Sequence, residues 1–76
     1  MHLDILTPDK VLFSGETTGV KVPGSMGSFE MLNNHAPIVS TLEAGTIRVR
    51  TATGDQFIEI KGGVVEMIDN KITILA

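Results

Sequence analysis

The chain has 76 residues, no cysteine, and six Lys and Arg against nine Asp and Glu, for a net charge of −3. A chain this short buries only about 60% of the surface its unfolded form exposes, so residues 1–76 are expected to form one domain around one core; without thiols, that core depends on apolar burial and backbone pairing. The acidic balance is the wrong sign for displacing counterions from phosphates, and three phenylalanines with no tryptophan or tyrosine offer little for stacking on bases, so nucleic acid is excluded as the expected partner.

Taken in order, apolar residues recur at every second position, the period of a half-buried strand. Leu3 and Ile5 alternate with His2 and Asp4, and Pro8-Asp9-Lys10 separates this run from Val11-Leu12-Phe13. Ser14-Gly15 ends that second run, and a third covers Thr17 to Val22. From Pro23 to Ala44 the pattern is irregular, with Gly24, Gly27, Asn33-Asn34 and Pro37; irregular segments on a regular scaffold are where function concentrates. Thr46 to Ala76 is expected to be a four-stranded antiparallel meander. Its runs (Ile47 and Val49, Ile58 and Ile60, Val65 and Met67, Ile72 and Ile74) are separated by turn residues at Thr53-Gly54-Asp55, Gly62-Gly63 and Asp69-Asn70 that tolerate positive φ. These eight apolar residues are the expected core. Many short strands cannot remain one open sheet with an exposed apolar face, so the fold class is all-β, a small sandwich or flattened barrel.

The residues give catalysis little support. His2 and His35 lie far apart in the chain, whereas a catalytic zinc normally takes three protein ligands; no metal or cofactor is expected. Ser14, Ser25, Ser28 and Ser40 lie in no Gly-x-Ser-x-Gly elbow. The Pro23-Gly24-Ser25-Met26-Gly27 loop lacks the Gly-Lys-Ser/Thr ending of a phosphate loop and precedes a strand-like run, so a plain turn is expected. Asn33-Asn34-His35-Ala36-Pro37 favours left-handed and extended backbone, in which His35 serves the loop. Met26, Met31 and Met67 are candidates for core filler or for soft interface contacts, Met31 above all because of its irregular surroundings. Apolar runs stop at three or four residues, far short of the roughly 20 that cross a bilayer. Met1-His2-Leu3-Asp4 does not open a signal peptide, and a soluble, non-secreted chain is expected.

Leu12-Phe13-Ser14-Gly15, Gly27 to Pro37 with Asn34-His35-Ala36-Pro37-Ile38-Val39, Leu42 to Val49, and Lys61-Gly62-Gly63-Val64-Val65-Glu66 occur in an order and spacing that resembles the ATP synthase ε subunit family, whose mitochondrial counterpart is called δ. The resemblance implies a ten-stranded antiparallel β-sandwich, non-catalytic, in the rotor of a proton-translocating synthase. It further implies the γ subunit and the c-ring as partners, and peripheral membrane association through the complex alone at the cytoplasmic face of a bacterial plasma membrane. It carries Ser28, Glu30, Met31, Asn33 and His35 over as the γ and c-ring contacts. Ser28 stands where family members often have an acid, and Glu30, of like parity, is the nearest one here. Asn33-Asn34 replaces the family's common Pro-Gly. The family usually continues into a C-terminal helical hairpin, so no nucleotide binding is expected of residues 1–76. An alternative of another class is a biotinyl or lipoyl carrier domain, with Lys71 beside the Asp69-Asn70 turn. A small ligand-binding barrel lacks the cavity-lining aromatics it would need.

Overall fold

The computed structural model describes residues 1–76 and contains strands and turns but no helix. The strands are β1 (His2–Leu6), β2 (Val11–Glu16), β3 (Gly19–Val22), β4 (Phe29–Leu32), β5 (Ile38–Thr51), β6 (Gly54–Ile68) and β7 (Lys71–Leu75). They form one hydrogen-bonded sheet in the order β2-β1-β7-β6-β5-β3-β4. All pairs are antiparallel except β1 with β7, which run parallel with Leu3 beside Ile72 and Ile5 beside Ile74.

Strand length turns this sheet into a sandwich. A 15-residue strand at about 3.3 Å per residue would reach about 50 Å, yet the longest dimension of the domain is 26 Å, so β5 and β6 must bend sharply. Their partners change at the bend. The end of β6 from Val64 to Ile68 pairs with β7, whereas Arg48 to Arg50 of β5 pairs with β3. One layer is therefore β2-β1-β7 with the last part of β6 and the first of β5; the other is the start of β6, the end of β5, β3 and β4.

The phase of the apolar pattern changes at the same place. On β5 the buried residues are Leu42, then Ile47 and Val49; on β6 they are Ile60, then Val65 and Met67. Each change spans an odd number of positions, which on a flat ribbon would place the two sets on opposite faces. The register of the β5–β6 pair does not slip, with Glu43 opposite Gly62 and Gly45 opposite Ile60, so both strands pass through the corner together. Gly62 and Gly63 make this possible with φ of 137° and 148°, values that side chains with a Cβ rarely adopt. At Gly63 a Cβ would also fall inside the carbonyl oxygen of Leu75.

These observations revise several expectations. There are seven strands, not ten, because the long hairpin continues through the corner. Gly62-Gly63 bends β6 and ends no strand, so Thr46 to Ala76 holds the end of β5, β6 and β7 and not a four-stranded meander. Ser14-Gly15 lies within β2 and β3 begins at Gly19, because cross-strand bonds to β1 hold β2 together as far as Glu16. Asp69 and Asn70, at φ of 49° and 62°, form the expected tight turn.

The core is one cluster fed from both layers: Leu3, Ile5, Val65, Met67, Ile72 and Ile74 from one, Val20, Val22, Met31, Ile47, Val49 and Ile60 from the other, with Met1 and Leu42. Burying each such side chain contributes about 1.5–3 kcal/mol. Seven of the eight expected core residues are buried; Ile58 is half-buried and packs against the cluster.

Candidate functional site

The segment from Pro23 to Pro37 folds as a turn, the edge strand β4, and a second turn. In the first, Gly27 N–H donates to Gly24 O at 2.9 Å and Ser25 N–H to Thr41 O at 3.0 Å, while Thr41 Oγ1 donates to Ser25 Oγ at 2.9 Å. Gly24 also bridges to Leu42. This is the plain turn expected of that loop, and it is braced against β5. Met26 at its tip is fully exposed.

Alternation along β4 then divides the candidate residues between two faces. Met31 lies opposite Val20 and is completely buried, so it is core filler and is not available to a partner at the surface of this domain. Its neighbour Glu30 points outward, opposite Lys21. Glu30 Oε2 accepts from Arg48 Nη2 at 3.1 Å and lies 3.5 Å from Arg50 Nη2. Gly19 keeps this path open, for a Cβ there would stand 3.3 Å from the same Glu30 oxygen. Glu30 thus ties β4 across β3 to β5 and is already engaged within the domain.

The second turn uses the left-handed tolerance of asparagine, with Asn34 at φ 64°. Asn34 N–H donates to Asn70 Oδ1 at 2.9 Å, the nitrogen of Met1 donates to Asn33 Oδ1 at 3.1 Å, and His35 N–H donates to Leu32 O at 3.1 Å. His35 Nδ1 donates to Ala36 O at 2.8 Å, which fixes the ring to its own loop. Ser28, Asn33 and His35 are exposed. Ser28 and Asn33 lie at opposite ends of β4, about 16 Å apart at strand spacing. The five candidates therefore form no single point of contact: one faces the core, one is ion-paired, and the other three belong to two ends of a hairpin.

On the outer face of the first layer, Asp4 accepts from Ser14 Oγ at 2.6 Å and lies 3.1 Å from His2 Nε2, while His2 Nδ1 is 3.3 Å from Glu16. The Ser14 bond, helped by the bond and charge of His2 and by the charge of Lys71, outweighs partial burial and holds the Asp4 carboxyl below its usual range. Ser14 donates to the carboxylate, not to the imidazole, so the arrangement lacks the nucleophile–base contact of acyl-transfer chemistry.

The same face carries a feature the sequence reading missed. Register places Val11, Leu6, Leu75, Val64 and Thr41 in one row across five strands, with Val39 beside it. Val11 is 60% exposed, Leu75 56%, Val64 41% and Val39 71%. The available clue was the doubled apolar pairs Val64-Val65 and Ile74-Leu75, which supply apolar side chains to both faces of a strand.

A folded-over β-sheet with an apolar row on the outer face of one layer and ion pairs on the outer face of the other is a small all-β sandwich. The chain belongs to the family described as ATP synthase, Delta/Epsilon chain, beta-sandwich domain, matched over residues 1–76. It is 39% identical over 75 residues to the ATP synthase epsilon chain of Leptospira borgpetersenii, covering 99% of this chain and 59% of that one. It is 44% identical to the one of Bradyrhizobium sp. strain ORS 278, covering 99% and 56%. The chain thus spans less than two-thirds of the length of these relatives. A chain of the Euglena gracilis mitochondrial ATP synthase has the same fold at a TM-score of 0.89 and 21% identity, over 97% of this chain and 48% of that one. A chain of the Tetrahymena thermophila mitochondrial ATP synthase central stalk and c-ring does so at 0.81 and 17%, over 97% and 60%. This family replaces the carrier-domain alternative; Lys71, moreover, opens β7 and lies opposite Ile68, not at the tip of its turn.

Proposed function

We propose that the chain is a non-catalytic rotor component of an F-type ATP synthase, joining γ to the c-ring so that proton flow is coupled to ATP synthesis. It acts at the cytoplasmic face of a bacterial plasma membrane, peripherally and through the complex alone. The family match over all 76 residues carries this reading, and relatives named as ATP synthase epsilon chains support it. A rotor part transmits torque through surfaces, and a sheet whose long central hairpin runs through both layers is suited to remain one body under load. The exposed row of Val11, Leu75, Val64 and Val39 offers an apolar patch of the kind that marks interaction sites. Ser28, Asn33 and His35 offer polar contacts on another part of the surface, and Glu30 acts by shaping β4.

Reconstitution of the chain with γ and c-ring from a bacterial synthase tests the reading. Stable retention in the complex is expected. Val64→Lys and Val39→Lys should reduce it at unchanged melting temperature, and Ser28→Ala or His35→Ala should reduce it more weakly. Failure of the unmodified chain to enter the complex would overturn the assignment, and retention unaffected by all four substitutions would overturn the contact surfaces.

A further inference from the structure

The four methionines of this chain occupy opposite extremes of environment. Met31 and Met67 are 0% and 1% exposed and Met1 9%, whereas Met26 is 100% exposed. Met26 is also held in place. Its turn is closed by the Gly27–Gly24 bond and braced to β5 through Ser25 and Thr41, so the backbone holds the fully exposed thioether outside the sheet, beside the small residues Ser25, Gly27 and Ser28. An apolar side chain at such a point gains nothing from the core.

We propose that Met26 is a redox modification site, oxidised by hydroperoxides while the rest of the domain stays intact. The thioether sulfur attacks the distal peroxide oxygen and the O–O bond breaks. One oxygen is transferred to sulfur and the other leaves as water, or as an alcohol from an organic hydroperoxide. Sulfur loses two electrons and the peroxide gains them. The resulting sulfoxide is polar and chiral, and it changes the tip of the turn from an apolar knob to a hydrogen-bond acceptor. A surface that receives the thioether would then have to desolvate a dipole. Because Met26 contributes nothing to the core, this change leaves folding untouched, and reduction of the sulfoxide reverses it. The inference does not rest on the rotor assignment.

Buried Met31 and Met67 react only from opened states, which a stable domain populates at about one part in a thousand or less. Dilute hydrogen peroxide, intact-mass measurement and proteolytic mapping should therefore show one oxygen added first, at Met26, about a thousandfold or more faster than at Met31 or Met67. The circular dichroism spectrum and melting temperature should not change. Met26→Leu should abolish the fast phase, and methionine sulfoxide reductase with a thiol reductant should restore the original mass. Oxidation of Met31 or Met67 within about tenfold of the Met26 rate, a fast phase that survives in Met26→Leu, or unfolding on addition of the first oxygen would each overturn the proposal.

Discussion

Replacing Met31 by alanine separates the two roles its sequence position allows. Met31 is completely buried, paired with Val20 of the adjacent strand β3, and one of only 14 residues in the core cluster. A buried methionine cut to alanine loses its transfer free energy and leaves a cavity, typically costing about 2–5 kcal/mol. At about 0.05–0.15 kcal/mol per residue, a domain of this size has a total stability of roughly 4–11 kcal/mol. A loss of about 3 kcal/mol thus removes a large fraction of it. For a domain this small each kcal/mol shifts the melting temperature by about 4–8 °C, so a fall of roughly 12–24 °C is expected. The assay is thermal and urea unfolding followed by far-ultraviolet circular dichroism, with Met26→Ala as the exposed control, expected to change stability by less than about 0.5 kcal/mol. If Met31→Ala melts within a few degrees of the parent, Met31 does not sit in the core and the placement of β4 over β3 is wrong.

Gly63→Ala should cost about 3 kcal/mol or more, since strain at φ 148° adds to collision with the Leu75 carbonyl. Gly54→Ala, with φ 130° and open space around it, should cost about 1–2 kcal/mol, and equal losses in urea titrations would refute the tight corner. Glu30→Gln should lower stability by only about 0.5–1 kcal/mol, because its pairs with Arg48 and Arg50 are partly solvated; a double-mutant cycle with Arg48→Met checks that the loss belongs to the pair. The Asp4 carboxyl titrates lower in the folded than in the unfolded chain. Its contribution is therefore complete above the unfolded carboxylate range and is lost as pH falls below about 4. Ser14→Ala should raise the Asp4 titration measured by NMR and shift acid unfolding to higher pH, and an unchanged titration would show that the Ser14 bond is not the main cause.

The strands were legible wherever local periodicity and turn chemistry agree. Asp69-Asn70 is a tight turn because both residues adopt positive φ, and Ile72 and Ile74 are buried because one face of β7 meets the core. Gly62-Gly63 misled because glycine reports permissive backbone, not direction. The same residues serve a reversal of the chain or a corner within a strand, and only the unbroken β5–β6 register decides between them. The parallel pairing of β1 with β7 joins the two ends of the sequence, and no local pattern encodes it. In the candidate site, Asn34 in left-handed geometry and the loop role of His35 followed from residue type. The burial of Met31 did not, because a four-residue strand between two turns is too short to establish a period.

Ion pairing changes what a substitution at Glu30 can report. A carboxylate that is free at a surface can be removed to test a contact, but Glu30 holds two arginines of β5, and deleting it loosens the edge strand that separates Ser28 from Asn33 and His35. Loss of attachment in Glu30→Ala would then combine a missing contact with a displaced hairpin. Arg48→Met cuts the closer of its two pairs from the other end, leaves the carboxylate on β4, and replaces no residue of the candidate contact. If Arg48→Met weakens attachment as much as Glu30→Ala does, Glu30 acts through the position of β4; if only Glu30→Ala weakens it, the carboxylate itself touches the partner.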